Sequence, residues 1–215
     1  MITTVNAPCL LVAMPSMIDN NFSQAVLLLA EHNEEGAIGF VLNRPSSVSL
    51  KAMISSVDRE IPEAIPAWYG GPVDTTTAII LHNQPTTSSD SEIAPGINLS
   101  TAGKILDAMI EHGDAQLTAT QTNYIQSDDH RPNKLHDEKT STIHPYRFLV
   151  GYAGWGQGQL DEEIKSGAWL VCPLDRKLVF DTSWSDLWQI CMDRIGITKQ
   201  LAAKPISLQN QPYLN

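Results

Sequence analysis

The sequence has few positive charges, and this shortage sets the first limit on its function. Lys and Arg number 14 against 24 Asp and Glu, which gives a formal net charge of −10. Nucleic-acid affinity depends mainly on Lys and Arg side chains that displace counterions from phosphates. The longest cationic feature, Asp175-Arg176-Lys177, is predicted to be a turn between two strands. No Lys- or Arg-rich helix is available to enter a groove, so we expect no direct binding to nucleic acid.

Cysteines and long apolar runs are also scarce. Cys9, Cys172 and Cys191 lie inside apolar runs without C-x-x-C spacing, which favours neither a zinc site nor a disulfide framework. Three free, buried thiols suit a reducing compartment. Residues 1–6 contain no Lys or Arg, and the apolar stretch 9–14 is too short for a signal-peptide core or a membrane span. We therefore expect a cytoplasmic protein that does not associate with membranes.

No motif of an enzyme or cofactor class is complete. Residues 151–158 contain G-x-x-G and G-x-G spacings around Trp155, but not the G-x-G-x-x-G order of a dinucleotide site. Gly-x-Ser-x-Gly and Walker-type loops are missing. His130, His136 and His144 lie with three Asp residues in a polar segment of irregular spacing, which does not pre-place metal ligands. We expect neither a cofactor nor a metal.

Apolar patterning predicts an α+β chain with several buried strands. A chain of 215 residues, 42% of them hydrophobic, can build one hydrophobic core. Apolar runs predict strands over 9–14, 25–30, 37–42, 78–82, 148–153, 169–172 and 178–180. The polar residues 31–36 predict a hairpin tip between the second and third runs. Helical spacing predicts helices over 50–57, 100–112, 160–167 and 184–195, the last with Ser183 and Asp186 at capping-box spacing.

Polar segments separate or follow these elements. Pro45 is expected to stop the third strand, and the Pro-containing segment after residue 82 is expected to be a loop up to Ser100. Residues 120–145 predict a long surface loop. The tail predicts an extended or disordered arm. The predicted organisation is therefore one domain over residues 1–197, followed by a C-terminal arm over 198–215.

Three groups of short motifs resemble the signatures of one bacterial protein family. The first group comprises Met14-Pro15, Asp19, Phe22, Glu31-His32-Asn33, Gly36, Gly39 and Asn43-Arg44-Pro45. The second is Gly70-Gly71-Pro72-Val73. The third comprises Gly151-Tyr152-Ala153-Gly154-Trp155, Gly158-Gln159-Leu160, Glu163-Ile164 and Trp169. In their order and separation across residues 8–197, these motifs resemble the AlgH-like (YqgE) family.

The resemblance implies an α+β fold with an unusual barrel-like mixed β-sheet flanked by a few helices, in a bacterial cytoplasmic protein. It implies no established activity. The transcriptional-regulator label of some members comes from an association with the control of alginate production. The chain departs from the family pattern in its longer loop around residues 128–144, in Gly167 where Asn is common, and in lacking a Gly-His-Ala-like ending.

Polar residues at the ends of predicted strands supply a candidate binding site. The candidates are Asp19, Glu31, His32, Asn33, Asn43, Arg44, Tyr152, Trp155, Gln159 and Glu163. Each group lies where a buried apolar run gives way to polar residues, a place where scaffolds present functional side chains. We therefore expect the groups to come together on one side of the fold.

Each group has a functional and a structural interpretation. Glu31 or His32 could act as a general acid or base, or His32 and Asn33 could satisfy backbone groups of the turn. Arg44 could clamp an anionic ligand, since its guanidinium suits carboxylate or phosphate. The alternative is an ion pair with one of three carboxylates, those of Asp19, Glu31 and Glu163.

The helix after the glycine cluster also permits two interpretations. Gln159 and Glu163, four residues apart, could line a shallow pocket beside Trp155 or form a solvated helix face. The leading functional hypothesis is a non-enzymatic binding or regulatory module that acts through a protein or small-molecule partner. The alternative is an uncharacterised enzyme with Arg44 as an anion clamp and an acid or base chosen from Glu31, His32 and Glu163.

Overall fold

The described part of the chain is organised around one mixed ten-stranded β-sheet. The computed structural model describes residues 5–53, 66–83, 91–101 and 146–197. Ten strands occur in these ranges: β1 (Cys9–Ala13), β2 (Val26–Asn33), β3 (Gly36–Val41), β4 (Pro45–Ser49), β5 (Pro66–Tyr69), β6 (Val73–His82), β7 (Ser91–Ala94), β8 (Ile97–Thr101), β9 (Tyr146–Gly156) and β10 (Trp169–Cys172). The helices of the same ranges are α1 (Leu50–Met53), α2 (Gln159–Lys165), α3 (Arg176–Phe180) and α4 (Trp184–Ile195). The predicted α+β class with few helices is confirmed.

Strand β9 joins the two halves of the sheet. Its C-terminal part pairs antiparallel with β3, with Gly36 opposite Gly156 and Gly39 opposite Ala153. Its N-terminal part pairs with β6 in antiparallel and with β5 in parallel orientation. The strand order is β10-β1-β2-β3-β9-β6-β8-β7, and β4 is attached through β5. The sheet curls into a half-barrel, which confirms the expected barrel-like mixed β-sheet.

Two apolar clusters cover the opposite faces of β1 and β2, because successive side chains of a strand point to opposite sides. Leu10 and Leu28 belong to one cluster, onto which α4 packs. Leu11 and Leu27 belong to the other, together with Leu160 of α2. Because both faces of β1 and β2 are buried, their sequences are continuous apolar runs. The predicted hairpin of β2 and β3 is confirmed by the antiparallel pairing of these two strands.

The predicted loop up to Ser100 is wrong. The segment contains a hairpin, in which β7 pairs with β8 and β8 pairs with β6. The prediction failed because β8 buries polar side chains: Asn98 is 1% and Ser100 5% exposed. His82 Nε2 and Ser100 Oγ are 2.8 Å apart, so this buried hydroxyl has a partner on β6. The strand is short, and half of its alternating residues are polar, so the segment resembles a polar loop when only its composition is considered.

The strand predicted over residues 178–180 is also wrong, because these residues form the end of α3. Asp175 caps this helix, since its Oδ1 accepts a hydrogen bond from Lys177 N at 2.9 Å. The predicted turn at 175–177 is therefore the start of a helix. Leu178, Val179 and Phe180 are all buried, and a short apolar run does not distinguish a buried strand from a buried helix turn.

Two further details of the element ends differ from the sequence expectation. The third strand ends before Pro45, as predicted, but Pro45 also begins β4, a strand that the sequence analysis did not predict. Ser183 precedes α4 but makes no side-chain cap, because its Oγ contacts Ser185 Oγ at 2.9 Å. The capping box with Asp186 is therefore not formed.

Several predicted segments lie outside the described residues. These are the loop over 120–145, the arm over 198–215, the helix predicted to begin after Ser100, and the part of the 50–57 helix that follows Met53. Within the ranges that are described, no helix has the length and apolar character to cross a membrane.

Candidate functional site

A cleft opens beside α4 where β2 begins and β3 ends. Its volume is about 550 Å³, within the range of small-molecule sites. The loop over 14–25, the segment that follows β3, the end of β5 and the start of α4 supply its walls. The lining residues are Asn20, Asn21, Ser23, Gln24, Asn43, Arg44, Pro45, Tyr69, Trp184, Ser185 and Trp188.

Arg44 is the one charged side chain among the described residues that line this cleft. Its Nη2 donates a hydrogen bond of 2.6 Å to Ser23 O, and its Nε is buried without a partner in the described ranges. The ion pairs of those ranges involve other cations, so the alternative interpretation, a pair of Arg44 with a carboxylate, is not found there. A guanidinium has five N–H groups. Apart from the Nε–H and the Nη2–H that binds Ser23 O, three N–H groups of Arg44, on Nη1 and Nη2, could donate hydrogen bonds to a ligand.

Asn43 shapes the wall of the cleft. Its Oδ1 accepts a hydrogen bond from Val26 N and its Nδ2 donates one to Gln24 O, each at 2.9 Å. Between these contacts, Gln24 adopts a φ of 55°, a left-handed conformation that is costly for a residue other than glycine. The Asn43 side chain thus satisfies the backbone N–H of Val26 and the backbone carbonyl of Gln24 at this bend. Backbone strain of this kind is concentrated at functional sites.

Tyr69 forms another wall and is linked to Arg44. Its N donates to Arg44 O at 2.9 Å, and its hydroxyl donates to Asn21 Oδ1 at 2.9 Å. Asp19 holds Asn21 in place, since its Oδ1 accepts from Asn21 N at 2.8 Å. Burial raises the pKa of the Tyr69 hydroxyl, and the positive charge of Arg44 partly offsets this rise. The hydroxyl therefore keeps its proton at neutral pH and remains a donor.

A second group of predicted residues is hydrogen-bonded to the carboxylate of Glu163. Its Oε2 accepts hydrogen bonds from Trp155 Nε1 at 2.9 Å and from Trp169 Nε1 at 2.8 Å. Its Oε1 accepts from Gln159 Nε2 at 2.9 Å, while Gln159 Oε1 accepts from Gly156 N at 3.1 Å. The two indole rings meet edge to face with centroids 6.1 Å apart. Glu163 therefore ties α2 to β9 and β10, a role that neither interpretation of the helix anticipated.

The residues of the hairpin tip are engaged in structural contacts. Asn33 Oδ1 accepts a hydrogen bond from Glu35 N at 2.8 Å, which closes the turn. His32 Nδ1 donates to Val5 O at 2.7 Å, and its Nε2 lies 3.7 Å from Asp161 Oδ2 on α2. Only 5% of the His32 side chain is exposed. Glu31 is exposed at the end of β2.

The predicted residues thus fall into two groups, one at the cleft of Arg44 and one around the carboxylate of Glu163. Trp155 lies opposite Ala37, near the start of β3, whereas Arg44 follows the end of that strand. No hydrogen bond or ion pair of the described residues joins Arg44 to Trp155 or Glu163. Tyr152 belongs to neither group, and its side chain packs against the apolar cluster of Leu10 and Leu28 that α4 covers.

The loop over residues 14–25 connects the two groups. The Phe22 ring meets the Trp169 ring edge to face at 5.5 Å, and Trp169 belongs to the Glu163 group. The next residue, Ser23, accepts the hydrogen bond from Arg44. Adjacent loop residues therefore contact both groups.

Sequence reasoning missed most of the cleft, including Trp184 and Trp188. The sequence indicated only that both residues lie in the helix predicted over 184–195. In the structure both are half-buried, whereas Leu187 and Cys191 on the same helix are fully buried. Trp188 Nε1 donates to Ala13 O at 2.8 Å. Two Trp residues one turn apart at the border of a stripe were the available signal, because Trp combines an apolar ring with a polar group that needs a partner.

Comparison with known proteins decides the family. Residues 10–124 and 120–200 match the family model described as AlgH-like. The chain belongs to the AlgH-like family. A relative in it, a UPF0301 protein of Burkholderia vietnamiensis, is 32% identical over 200 residues, which cover 89% of this chain and 88% of the relative. The resemblance inferred from the motifs is confirmed.

Two solved structures resemble this AlgH-like chain. The solution structure of the AlgH protein from Pseudomonas aeruginosa matches with a TM-score of 0.62 and 30% identity, covering 94% of this chain and 98% of that one. An X-ray structure of a Corynebacterium diphtheriae protein matches with a TM-score of 0.61 and 22% identity, covering 89% and 88%. The second likeness is one of fold alone.

Proposed function

We propose that this AlgH-like protein is a non-enzymatic binding module whose cleft recognises the anionic group of a small-molecule ligand. The observation that carries the proposal is Arg44. Its guanidinium is half-buried in a cleft of about 550 Å³, is oriented by Ser23 O, and has no carboxylate partner among the described residues. A partly buried cation with an oriented guanidinium favours a ligand that brings the opposite charge.

The separation of the two residue groups favours binding over catalysis. An enzyme of the predicted kind needs an acid or base beside its anion clamp. Glu31, His32 and Glu163 do not line the cleft of Arg44. His32 and Glu163 also already hold backbone and indole groups in place.

The proposal includes a cytoplasmic location and a regulatory role through protein contacts. Cys9, Cys172 and Cys191 are buried free thiols, which suit a reducing compartment. A net charge of −10 disfavours direct contact with DNA, so a ligand-dependent change would be passed to another protein. The corresponding expectation is no submicromolar binding to duplex DNA in a fluorescence anisotropy assay at physiological salt.

Nuclear magnetic resonance of arginine side chains offers a direct test. The buried Nε–H of Arg44 is shielded from solvent and should give a distinct resonance that reports on its own guanidinium. We expect titration of the intact protein with inorganic phosphate to shift this resonance saturably. Arg44→Gln should abolish phosphate binding and lower the melting temperature by only about 2 to 4 °C, the effect of losing about 1 kcal/mol with the hydrogen bond to Ser23 O.

Arg194→Gln is the matched control, since it removes the same charge from an exposed ion pair with Asp175. It should leave phosphate binding intact, because surface pairs contribute little to stability or to a distant site. Equal loss of binding in both variants would show a general charge effect, and the absence of saturation in the unmodified protein would refute the proposal.

A further inference from the structure

We infer that the ligand of this cleft carries a flat aromatic ring beside its anionic group, as an aromatic phosphate or carboxylate does. The inference rests on the proposed function, because it takes the anionic group to lie on Arg44. It adds a requirement on the rest of the ligand, which the other walls of the cleft impose.

The apolar surface of the cleft is almost entirely aromatic. Tyr69, Trp184 and Trp188 supply it together with Pro45, and no Leu, Ile, Val, Met or Ala occurs among the described lining residues. Apart from the Pro45 ring, an acyl chain would find no aliphatic side chain to pack against. A flat ring, by contrast, can stack on an indole or phenol face, an interaction that aromatic pairs favour beyond the area they bury.

Trp188 is held in position before any ligand arrives. Its Nε1 donates a hydrogen bond of 2.8 Å to Ala13 O on β1, which restrains rotation of the indole. Trp184 lies one helical turn earlier on the same side of α4, and both rings are half-buried. A ligand that stacks on a restrained ring loses less of its binding energy to ordering the site.

Amide side chains complete the cleft. Asn20, Asn21 and Gln24 are exposed at its rim and offer both donors and acceptors. Asn21 is oriented by Tyr69 and by Asp19. Heteroatoms or hydroxyls on a ring would meet these groups, while Arg44 holds the charge.

A matched series of phosphates tests the inference, with the Arg44 Nε–H resonance as the common readout. The probes are inorganic phosphate, butyl phosphate, cyclohexyl phosphate, phenyl phosphate and glucose 6-phosphate. We expect phenyl phosphate to bind at least about fivefold more tightly than inorganic, butyl and cyclohexyl phosphate, since stacking of a ring on an aromatic side chain gives roughly a 5- to 100-fold gain.

Trp188→Leu keeps an apolar side chain but removes the ring. It should bring the affinity for phenyl phosphate to within about twofold of that for inorganic phosphate, which it should still bind. Trp184→Leu provides a second variant, and the probe series on the unmodified protein decides the question even if one variant does not fold. The ring current of phenyl phosphate should also shift the Trp188 Nε1–H resonance in the unmodified protein.

The outcomes separate this inference from the proposed function. Binding of inorganic phosphate through Arg44 without any preference for phenyl phosphate would overturn the aromatic requirement and leave the anion site standing. Tighter binding of glucose 6-phosphate than of phenyl phosphate would overturn it in favour of a sugar ring. The absence of Arg44-dependent binding for every probe would overturn both.

Discussion

Replacement of Glu163 by Ala provides a quantitative test of the proposed structural role of its carboxylate. The substitution removes the acceptor of two indole N–H groups, those of Trp155 and Trp169. These Trp residues are only 7% and 2% exposed, so water has little access to them. A buried donor left without an acceptor costs about 1 to 3 kcal/mol. Because Glu163 itself is half-buried and water can partly fill its place, we expect a total loss of about 2 to 4 kcal/mol.

This loss is large enough to measure by thermal or urea unfolding. For a chain of this size, 1 kcal/mol lowers the melting temperature by about 2 to 4 °C, so Glu163→Ala should lower it by about 4 to 16 °C. Far-ultraviolet circular dichroism should follow the transition, since the substitution perturbs Trp fluorescence itself. Glu163→Gln keeps one acceptor oxygen with two lone pairs and should lose only about 1 kcal/mol.

Glu162→Ala is the control on the same helix. Glu162 is exposed, and its one ion pair among the described residues is with Lys165, so its removal should change stability by less than about 0.5 kcal/mol. A loss below about 0.5 kcal/mol for Glu163→Ala as well would refute the reasoning, because it would mean that the indoles find other partners at no cost.

Two further predictions concern glycine and cysteine. Gly71 has a φ of 157°, and an added Cβ would lie 2.1 Å from the Tyr152 carbonyl carbon, so Gly71→Ala should cost more than about 4 kcal/mol or prevent folding. Gly167→Ala, at a φ of 78° with open space around the Cβ, should cost only about 1 kcal/mol in the same urea titration. Burial raises the pKa of Cys9 to about 11 and that of Cys191 to about 12, so a thiol reagent at about pH 8 should label the native protein only after denaturant is added. Because the pKa values of these buried thiols are raised in the folded state, the stability that the neutral thiols contribute is complete below about pH 9 and is lost as the pH rises towards 11 or 12. Urea unfolding should therefore give a smaller free energy of unfolding at about pH 10 than at about pH 8. Equal values at both pH values would contradict this prediction.

The strands that bury both faces could be predicted from the sequence, whereas the less regular elements could not. The runs over 9–14, 25–30 and 37–42 correspond to β1, β2 and β3, since uninterrupted apolar residues have few alternatives in a chain of this size. Strand β8 was missed because two of its buried side chains, Asn98 and Ser100, are polar. Helix α3 was misassigned because three apolar residues contain less than one period of a helix.

The candidate site shows the same division between local and distant information. Arg44 and Asn43 were found through a short motif, because they lie at a strand end that the apolar runs predict. The rest of the cleft depends on contacts between distant segments. The Tyr69 hydroxyl reaches Asn21 across 48 residues, and Trp188 reaches Ala13 across 175. Residue patterns within a window of ten or twenty positions carry no information about such encounters.

The loop over residues 14–25 has a restricted length as a consequence of its two contacts. Phe22 must reach Trp169, and Ser23 must meet Arg44, although the two are consecutive in the chain. Consecutive Cα atoms are about 3.8 Å apart, so an inserted or deleted residue here would displace one contact by more than a hydrogen bond can follow. Most surface loops tolerate insertions and deletions better than the helices and strands that they join do. In this loop the spacing between Phe22 and Ser23 is fixed by the two contacts that they make.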